Sequence, residues 1–102
     1  MKFKINESRF IELVSEMIGH QIDSYYISEK GWYSLIDKDG KCLINYIPGH
    51  REIYYDHSLF HLISRFISIE YEPDIFRAGL KKFFNFHFPE LVVRTVTGAN
   101  IV

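Results

Sequence analysis

The chain has 102 residues, of which 47% are hydrophobic, 25% are charged and 17% are aromatic, and its net charge is −1. This length suits one domain spanning residues 1–102 with a core of its own, and this composition excludes a disordered chain. The single cysteine, Cys42, excludes an internal disulfide and a cysteine-based zinc site. No basic-then-apolar leader and no apolar run of the ~20 residues of a membrane span is present, so we expect a cytoplasmic protein without membrane contact.

The first predicted element is a helix over residues 7–18. Apolar side chains recur there at helical spacing and form one stripe, with Glu12 and Glu16 outside it. Asn6 is a suitable N-cap, and Ile5 before it is placed to pack on Phe10 as a hydrophobic staple. Gly19 predicts the end of this helix.

Short strands are predicted next, over residues 25–27, 32–36, 41–47 and 53–55. The turns between them have suitable residues for tight reversals. Asp37 to Gly40 closes a hairpin with a glycine where positive φ is required. Pro48 and Gly49 predict a type II turn. Sequential strands with such turns indicate an antiparallel meander.

Two helices and a final β-rich segment complete the chain. Asp56 is a predicted cap for a helix over residues 57–68, and Pro73 fits the first position of another helix that ends before Pro89. Residues 91–97 are rich in β-branched side chains and are expected to return to the sheet. The sequence therefore predicts an α+β fold: an antiparallel meander of four to five strands, one N-terminal helix, two consecutive helices after the meander, and a returning C-terminal strand.

The predicted sheet has apolar side chains on both faces. Strict alternation places Tyr33 and Leu35 of the second predicted strand on one face and Trp32, Ser34 and Ile36 on the other. In the third predicted strand, it places Cys42, Ile44 and Tyr46 on one face and Leu43, Asn45 and Ile47 on the other. If three helices cover one face, the other presents apolar groups to solvent, which is typical of an interaction site. If one helix crosses to the second face instead, these side chains are all core.

The favoured hypothesis is a small non-enzymatic protein-binding module that pairs with itself as a homodimer, with another protein, or with both. Tyrosine, tryptophan and arginine dominate the energetics of interfaces. The candidate partner-binding residues are Tyr25, Tyr33, Tyr46, Arg51, Tyr54 and Tyr55. Isoleucine outnumbers leucine 14 to 7, a composition typical of AT-rich genomes, so an inhibitor or regulator of a host protein encoded by a phage or mobile element is the narrower hypothesis.

Binding of RNA or single-stranded nucleic acid is the first alternative, because tyrosines on a sheet can stack on bases. Residues 73–102 carry four basic side chains against two acidic ones. Arg77, Lys81 and Lys82 are the candidate contacts. The small charge excess is weak beside that of dedicated binders, and the same residues fit the solvated side of a helix.

A metal-assisted enzyme is the second alternative. His57 and His61 stand four residues apart on a predicted helix, a spacing that lets two imidazoles share a metal ion. They fall opposite the apolar stripe, which favours a solvated polar face. Cys42 is interpreted as a small packing residue. No catalytic residue and no cofactor is predicted.

Overall fold

The structure, a computed structural model, describes residues 7–66 and 73–101, and this part of the chain has an α+β fold. Its helices are α1 (Glu7–Gln21), α2 (His57–Phe66) and α3 (Pro73–His87). Its strands are β1 (Ser24–Ile27), β2 (Tyr33–Ile36), β3 (Cys42–Ile47), β4 (Glu52–Asp56) and β5 (Thr95–Ala99). The predicted cap Asn6, the staple residue Ile5 and the predicted end of the second helix at residue 68 lie outside the described residues. Within the described ranges, no helix is both long and apolar enough to cross a membrane.

The five strands form one sheet in the order β1-β2-β3-β4-β5. The first four strands pair antiparallel, so the predicted meander is confirmed. The returning strand β5 pairs with β4 in the parallel direction. The helical connection explains this difference, because α2 and α3 carry the chain back to the end of the sheet where β4 begins.

Strand β5 also begins later than the predicted 91–97 segment, because residues before Thr95 pack across the end of the sheet. The Tyr46 hydroxyl donates a hydrogen bond to the Val92 carbonyl at 2.7 Å, and the Arg94 N–H donates to the Arg51 carbonyl at 2.7 Å. These bonds fasten the approach to β5 against β3 and the β3–β4 loop.

Helix α1 continues through Gly19 to Gln21, so the predicted stop at Gly19 is wrong. The Ile22 N–H still donates to the Ile18 carbonyl at 3.3 Å. Gly19 lies where α1 packs on α3: a Cβ built on it meets the Phe83 ring at 3.6 Å, an ordinary contact distance. Tertiary packing routinely outweighs local preferences of this size.

The turns follow the prediction in one case and differ in another. Gly40 has φ +83°, as the predicted hairpin turn requires. The predicted type II turn at Pro48-Gly49 is wrong, because the left-handed residue is Arg51, with φ 58°. Two successive turns replace it: the His50 N–H donates to the Ile47 carbonyl, and the Arg51 N–H donates to the Pro48 carbonyl, both at 3.2 Å.

The predicted cap at Asp56 is confirmed. Its Oδ2 accepts a hydrogen bond from the Ser58 N–H at 3.0 Å, and its Oδ1 accepts one from the Ile101 N–H at 2.9 Å. Lys41 Nζ lies 3.6 Å from Oδ2. Burial acts to raise the pKa of Asp56, but the bonds from Ser58 and Ile101 and the charge of Lys41 outweigh it, so the pKa is lowered from its ordinary value.

The three helices form a single layer over one face of the sheet. Ring contacts join Phe84 of α3 to Tyr46 and Phe76 of α3 to Tyr55, with centroids 5.5 and 4.6 Å apart. Helix α2 joins this layer through Phe60, whose ring lies 5.3 Å from that of Phe76. The core lies between this layer and the sheet, and it contains Val14, Ile18, Leu35, Ile44, Tyr46, Ile53, Leu59, Ile63, Phe76, Leu80 and Phe84.

The strand register assigns the side chains to two faces. The covered face carries Tyr25, Ile27, Tyr33, Leu35, Ile44, Tyr46, Ile53, Tyr55, Val96 and Gly98. The opposite face, which we call the open face, carries Ser24, Tyr26, Ser34, Ile36, Cys42, Asn45, Ile47, Glu52, Tyr54, Thr95 and Thr97. Apart from the buried Ser34, these open-face side chains are half-buried or exposed.

Cys42 lies on the open face, so its predicted grouping with Ile44 and Tyr46 is wrong. The register shifts between Leu35 and Ile36, and Ile36 pairs with Cys42 while Leu35 pairs with Ile44. One extra residue, Leu43, is accommodated by this irregularity. Strict alternation therefore fails at the start of β3.

Candidate protein-binding surface

Strand β1 lies at the edge of the sheet with an exposed and apolar surface. Tyr25, Tyr26 and Ile27 are 53%, 52% and 54% exposed. Within residues 7–66 and 73–101, β2 is the strand that pairs with β1, and no other strand covers its outer side. Successive side chains of a strand point to opposite faces, so the exposure of all three indicates that the edge itself is open.

The backbone of β1 directs hydrogen-bonding groups outward. The Ser28 N–H donates to the Trp32 carbonyl at 2.9 Å, which shows that Ser28 faces β2. Alternate residues of an antiparallel strand face the same neighbour. Tyr26, the register partner of Ser34, therefore also faces β2, whereas the N–H and carbonyl groups of Tyr25 and Ile27 point away from the sheet. The Asp23 N–H also bonds to β2, but its acceptor Ile36 is the register partner of Ser24, so this bond is an irregularity just before the strand begins.

Trp32 extends the exposed surface at the hairpin end of β1. It is 36% exposed, and Lys30 Nζ lies 5.2 Å from the centroid of its ring. We call the four side chains Tyr25, Tyr26, Ile27 and Trp32 the edge patch. Exposed apolar side chains on both faces of an uncovered edge strand are typical of an interaction site.

The ring of Tyr25 is held in place although half of the residue is exposed. It stacks on Tyr33 at 6.2 Å with an interplanar angle of 12°, and its centroid lies 5.0 Å from that of Phe88 in an edge-on contact. A ring held in this way loses little conformational freedom when a partner covers it.

A groove of about 320 Å³ opens beside the start of β1, between the sheet and the C-terminal ends of α1 and α3. Its apolar walls include Tyr25, Leu35 and Phe88. The exposed carboxylates of Asp23 and Glu90 also line it. A groove with apolar walls and acidic side chains suits an apolar or basic side chain of a partner.

The centre of the open face is a hydrogen-bonded polar cluster. The Ser34 hydroxyl donates to Asn45 Oδ1 at 2.9 Å, and Cys42 Sγ lies 3.2 Å from the same oxygen. Burial raises the pKa of the Cys42 thiol, which disfavours the reactive thiolate. The Tyr54 hydroxyl donates to Glu52, and this bond raises the pKa of Tyr54.

The predicted partner-binding residues do not form one surface. Tyr25 belongs to the edge patch, and Tyr33 is half-buried beneath it. Tyr46 and Tyr55 are 2% and 4% exposed and belong to the core. The other two lie apart from the edge patch, Arg51 exposed in the β3–β4 loop and Tyr54 half-buried on the open face.

The candidate nucleic-acid contacts Arg77, Lys81 and Lys82 lie on the exposed side of α3. Arg77 is 3.6 Å from Asp74, and Lys82 is 3.6 Å from Glu12 of α1. Because α3 packs on the covered face, these cations lie on the opposite side of the molecule from the open face. One nucleic-acid strand would not reach both surfaces directly.

The candidate metal ligands His57 and His61 are both exposed on α2. The His57 ring lies beside Tyr55, with centroids 6.4 Å apart, whereas His61 contacts the ring of Phe60. In the described part of the chain, no group of three or more His, Cys, Asp or Glu side chains is placed to hold a metal ion.

Sequence reasoning missed three members of the edge patch: Tyr26, Ile27 and Trp32. The missing information is the position of the last strand. Had β5 paired with β1, the patch would be covered, and pairing with β4 is what leaves β1 at the edge. The usable signal is that residues 24–27 contain no charged residue or proline, the groups that normally protect an edge strand.

Comparison of the chain with protein-family models, with curated proteins and with solved structures finds no match.

Proposed function

We propose that this protein is a small non-enzymatic binding module that accepts an extended segment of a polypeptide along the outer side of β1. The observation that carries the proposal is the edge strand itself. Three consecutive apolar residues are each more than half exposed, and the outer backbone groups of Tyr25 and Ile27 point away from the sheet. Edge strands that bind partners by strand addition have this arrangement.

The binding mode follows from the geometry of the edge. Hydrogen bonds from Tyr25 and Ile27 would hold the backbone of the partner, independently of its sequence. The edge patch would supply aromatic anchors of the kind that dominate interface energetics. The groove beside Tyr25 would take a single side chain, and the carboxylates of Asp23 and Glu90 favour a basic group on the partner.

The positions of the other candidate residues give less support to the alternatives. Nucleic-acid binding requires exposed sheet tyrosines to act together with Arg77, Lys81 and Lys82 of α3. Tyr46 and Tyr55 are buried beneath the helices, and Tyr54 lies on the open face, on the far side of the sheet from α3. A metal site requires His57 and His61 to converge, and their rings have different neighbours. The hypothesis of a phage or mobile-element inhibitor stays a prediction from composition.

Affinity capture with an edge-blocked variant tests the proposal. Ile27→Pro removes an N–H that points outward and places the proline ring in the path of a partner strand, while the bonds between β1 and β2 stay intact. Lys38→Pro is the matched control, because Lys38 occupies the second position of the exposed Asp37–Gly40 turn, where proline is favoured.

The wild type and Lys38→Pro are expected to capture the same protein from cells that produce the chain, and Ile27→Pro is expected to lose it. Mass spectrometry of the captured material measures this. Equal recovery by Ile27→Pro would contradict binding along β1.

A further inference from the structure

The β1 edge presents two residues, Tyr25 and Ile27, whose backbone N–H and carbonyl groups point outward, and it presents the apolar edge patch. A partner that fits this edge must pair with both. We propose that one occupant is the β1 strand of a second copy, paired antiparallel about a two-fold axis at Tyr26. This inference rests on the proposed function, and it specifies the partner, the strand direction and the register.

The backbone groups select the register. With Tyr26 opposite Tyr26 of the second copy, Tyr25 of each copy is opposite Ile27 of the other. Both residues direct their N–H and carbonyl groups outward, so the two pairs form on the order of four hydrogen bonds. A shift that places Tyr25 opposite itself pairs Ile27 with Asp23, whose N–H already donates to the Ile36 carbonyl at 2.8 Å. A shift that places Ile27 opposite itself pairs Tyr25 with Glu29, which lies beyond β1 in the Ser28–Gly31 turn. The register centred on Tyr26 is therefore the one that pairs all of the outward groups within β1.

The side chains agree with this register. Residues directly opposite each other in an antiparallel pair lie on the same face. The two Tyr26 rings meet on the open face at a non-hydrogen-bonded position, where side chains approach most closely. On the covered face, Ile27 of the second copy lies beside the Tyr25 ring, which Tyr33 and Phe88 hold in place. The result is a continuous sheet of five strands from each copy with both helical layers on one side.

Charges at the ends of the paired strands contribute little. Glu29 and Lys30 of the second copy fall opposite Asp23 and Ile22, so each end brings two carboxylates and one ammonium group together at exposed positions. Exposed pairs of this kind are weak and are screened by salt. The edge patch and the backbone bonds therefore carry the association.

The area of the edge patch sets the expected strength. A half-exposed aromatic residue leaves roughly 100 Å² open, so the patch contributes roughly 300 to 400 Å² per copy. Stable complexes bury about 800 Å² per partner. The dimer is therefore expected to be reversible, forming at high protein concentration and dissociating on dilution.

A charge exchange at residue 26 tests the two-fold register. In Tyr26→Lys, two ammonium groups face each other across the axis, and in Tyr26→Glu, two carboxylates do. Each variant alone is expected to associate about tenfold more weakly than the wild type, because like charges directly opposite are destabilising. An equimolar mixture is expected to associate more strongly than either variant, since an ammonium group then meets a carboxylate across the axis.

Light scattering coupled to size exclusion over a concentration series measures the association. The wild type is expected to approach twice the 12.1 kDa chain mass, and Ile27→Pro is expected to stay at the single mass. Circular dichroism confirms that each variant is folded. As a second measurement, Tyr26→Cys combined with Cys42→Ser is expected to form an intermolecular disulfide under oxidation.

The outcomes separate this inference from the proposed function. A wild-type dimer whose association the mixed variants do not restore would overturn the register. A wild type that stays monomeric at hundreds of micromolar, while still capturing a partner through the β1 edge, would overturn the second copy as occupant and leave strand addition in place. A monomer without edge-dependent capture would overturn both.

Discussion

Two glycines of the helical layer differ in how much space surrounds them. A Cβ built on Gly79 of α3 lies 2.4 Å from Val14 Cγ1 of α1, whereas a Cβ on Gly19 lies 3.6 Å from the Phe83 ring. Val14 is fully buried and has little room to move. Close approach of α1 and α3 therefore depends on glycine at residue 79 and tolerates alanine at residue 19.

We expect Gly79→Ala to lower the free energy of unfolding by about 1 to 3 kcal/mol, because overpacking forces the two helices apart. Gly19→Ala is the matched control. It is expected to be neutral or to stabilise the protein by up to about 1 kcal/mol, since alanine is the better helix former. Urea unfolding of both variants measures this difference, and equal effects would contradict the packing described here.

Asp56 predicts a pH dependence of stability. A carboxyl group whose pKa is lowered in the folded state stabilises the protein above its unfolded pKa, and the effect is lost as the pH falls through the folded pKa. Asp56→Asn is expected to cost about 1 kcal/mol at neutral pH. The difference from the wild type is expected to shrink in strong acid.

Urea unfolding at neutral and strongly acid pH checks this expectation. Asp39→Asn is the control, because Asp39 is an exposed carboxylate in the β2–β3 turn. A difference between wild type and Asp56→Asn that stays constant into strong acid would show that the carboxylate charge does not contribute.

At the scale of elements, local sequence signals predict the helices and the meander, and tertiary contacts decide the exceptions. The Asp37–Gly40 turn and the Asp56 cap depend on neighbours in sequence and are confirmed. Helix α1 continues through Gly19 at a point that lies beside Phe83 of α3, 64 positions away in the numbering. The left-handed conformation of Arg51 occurs in a loop whose Arg51 carbonyl accepts a hydrogen bond from the distant Arg94 N–H. No local pattern contains either contact.

The candidate site could be predicted only in part for the same reason. Alternation along each strand groups Tyr33 with Leu35 as the register shows, but it gives no indication of which face or edge stays open. The open face is decided by the helices, which pack on one face and bury Tyr46 and Tyr55. The open edge is decided by β5, which pairs with β4 and leaves Tyr26 and Ile27 of β1 exposed.

Proline substitutions along β1 test which of its N–H groups point toward β2 and which point away, and they do so in the absence of a partner. Ile27→Pro removes an N–H that points away from the sheet, so the stability of the monomer is expected to change little. Tyr26→Pro removes an N–H that faces β2 and is expected to cost about 3 kcal/mol or to detach β1. Thermal unfolding of dilute protein measures both. Similar losses of stability in the two variants would contradict the assigned direction.

At the scale of the whole molecule, the exposed side chains differ in polarity from one region of the surface to another. The outer side of α3 carries the charged Arg77, Lys81 and Lys82 together with the exposed Phe86. The open face has a polar cluster at its centre, and the β1 edge carries exposed aromatic and aliphatic side chains. The other edge, β5, has the sequence TVTGA, which is less apolar than the SYYI of β1. The β1 edge is therefore the more apolar of the two sheet edges.

Amide hydrogen exchange, resolved by residue with NMR, tests binding at the β1 edge most directly. In dilute protein, the amides of Tyr25 and Ile27 are expected to exchange fast, whereas those of Tyr26 and Ser28 are protected by β2. When the protein is concentrated or its partner is bound, Tyr25 and Ile27 are expected to become protected as well. Fast exchange at both residues in the bound state would contradict strand addition at β1.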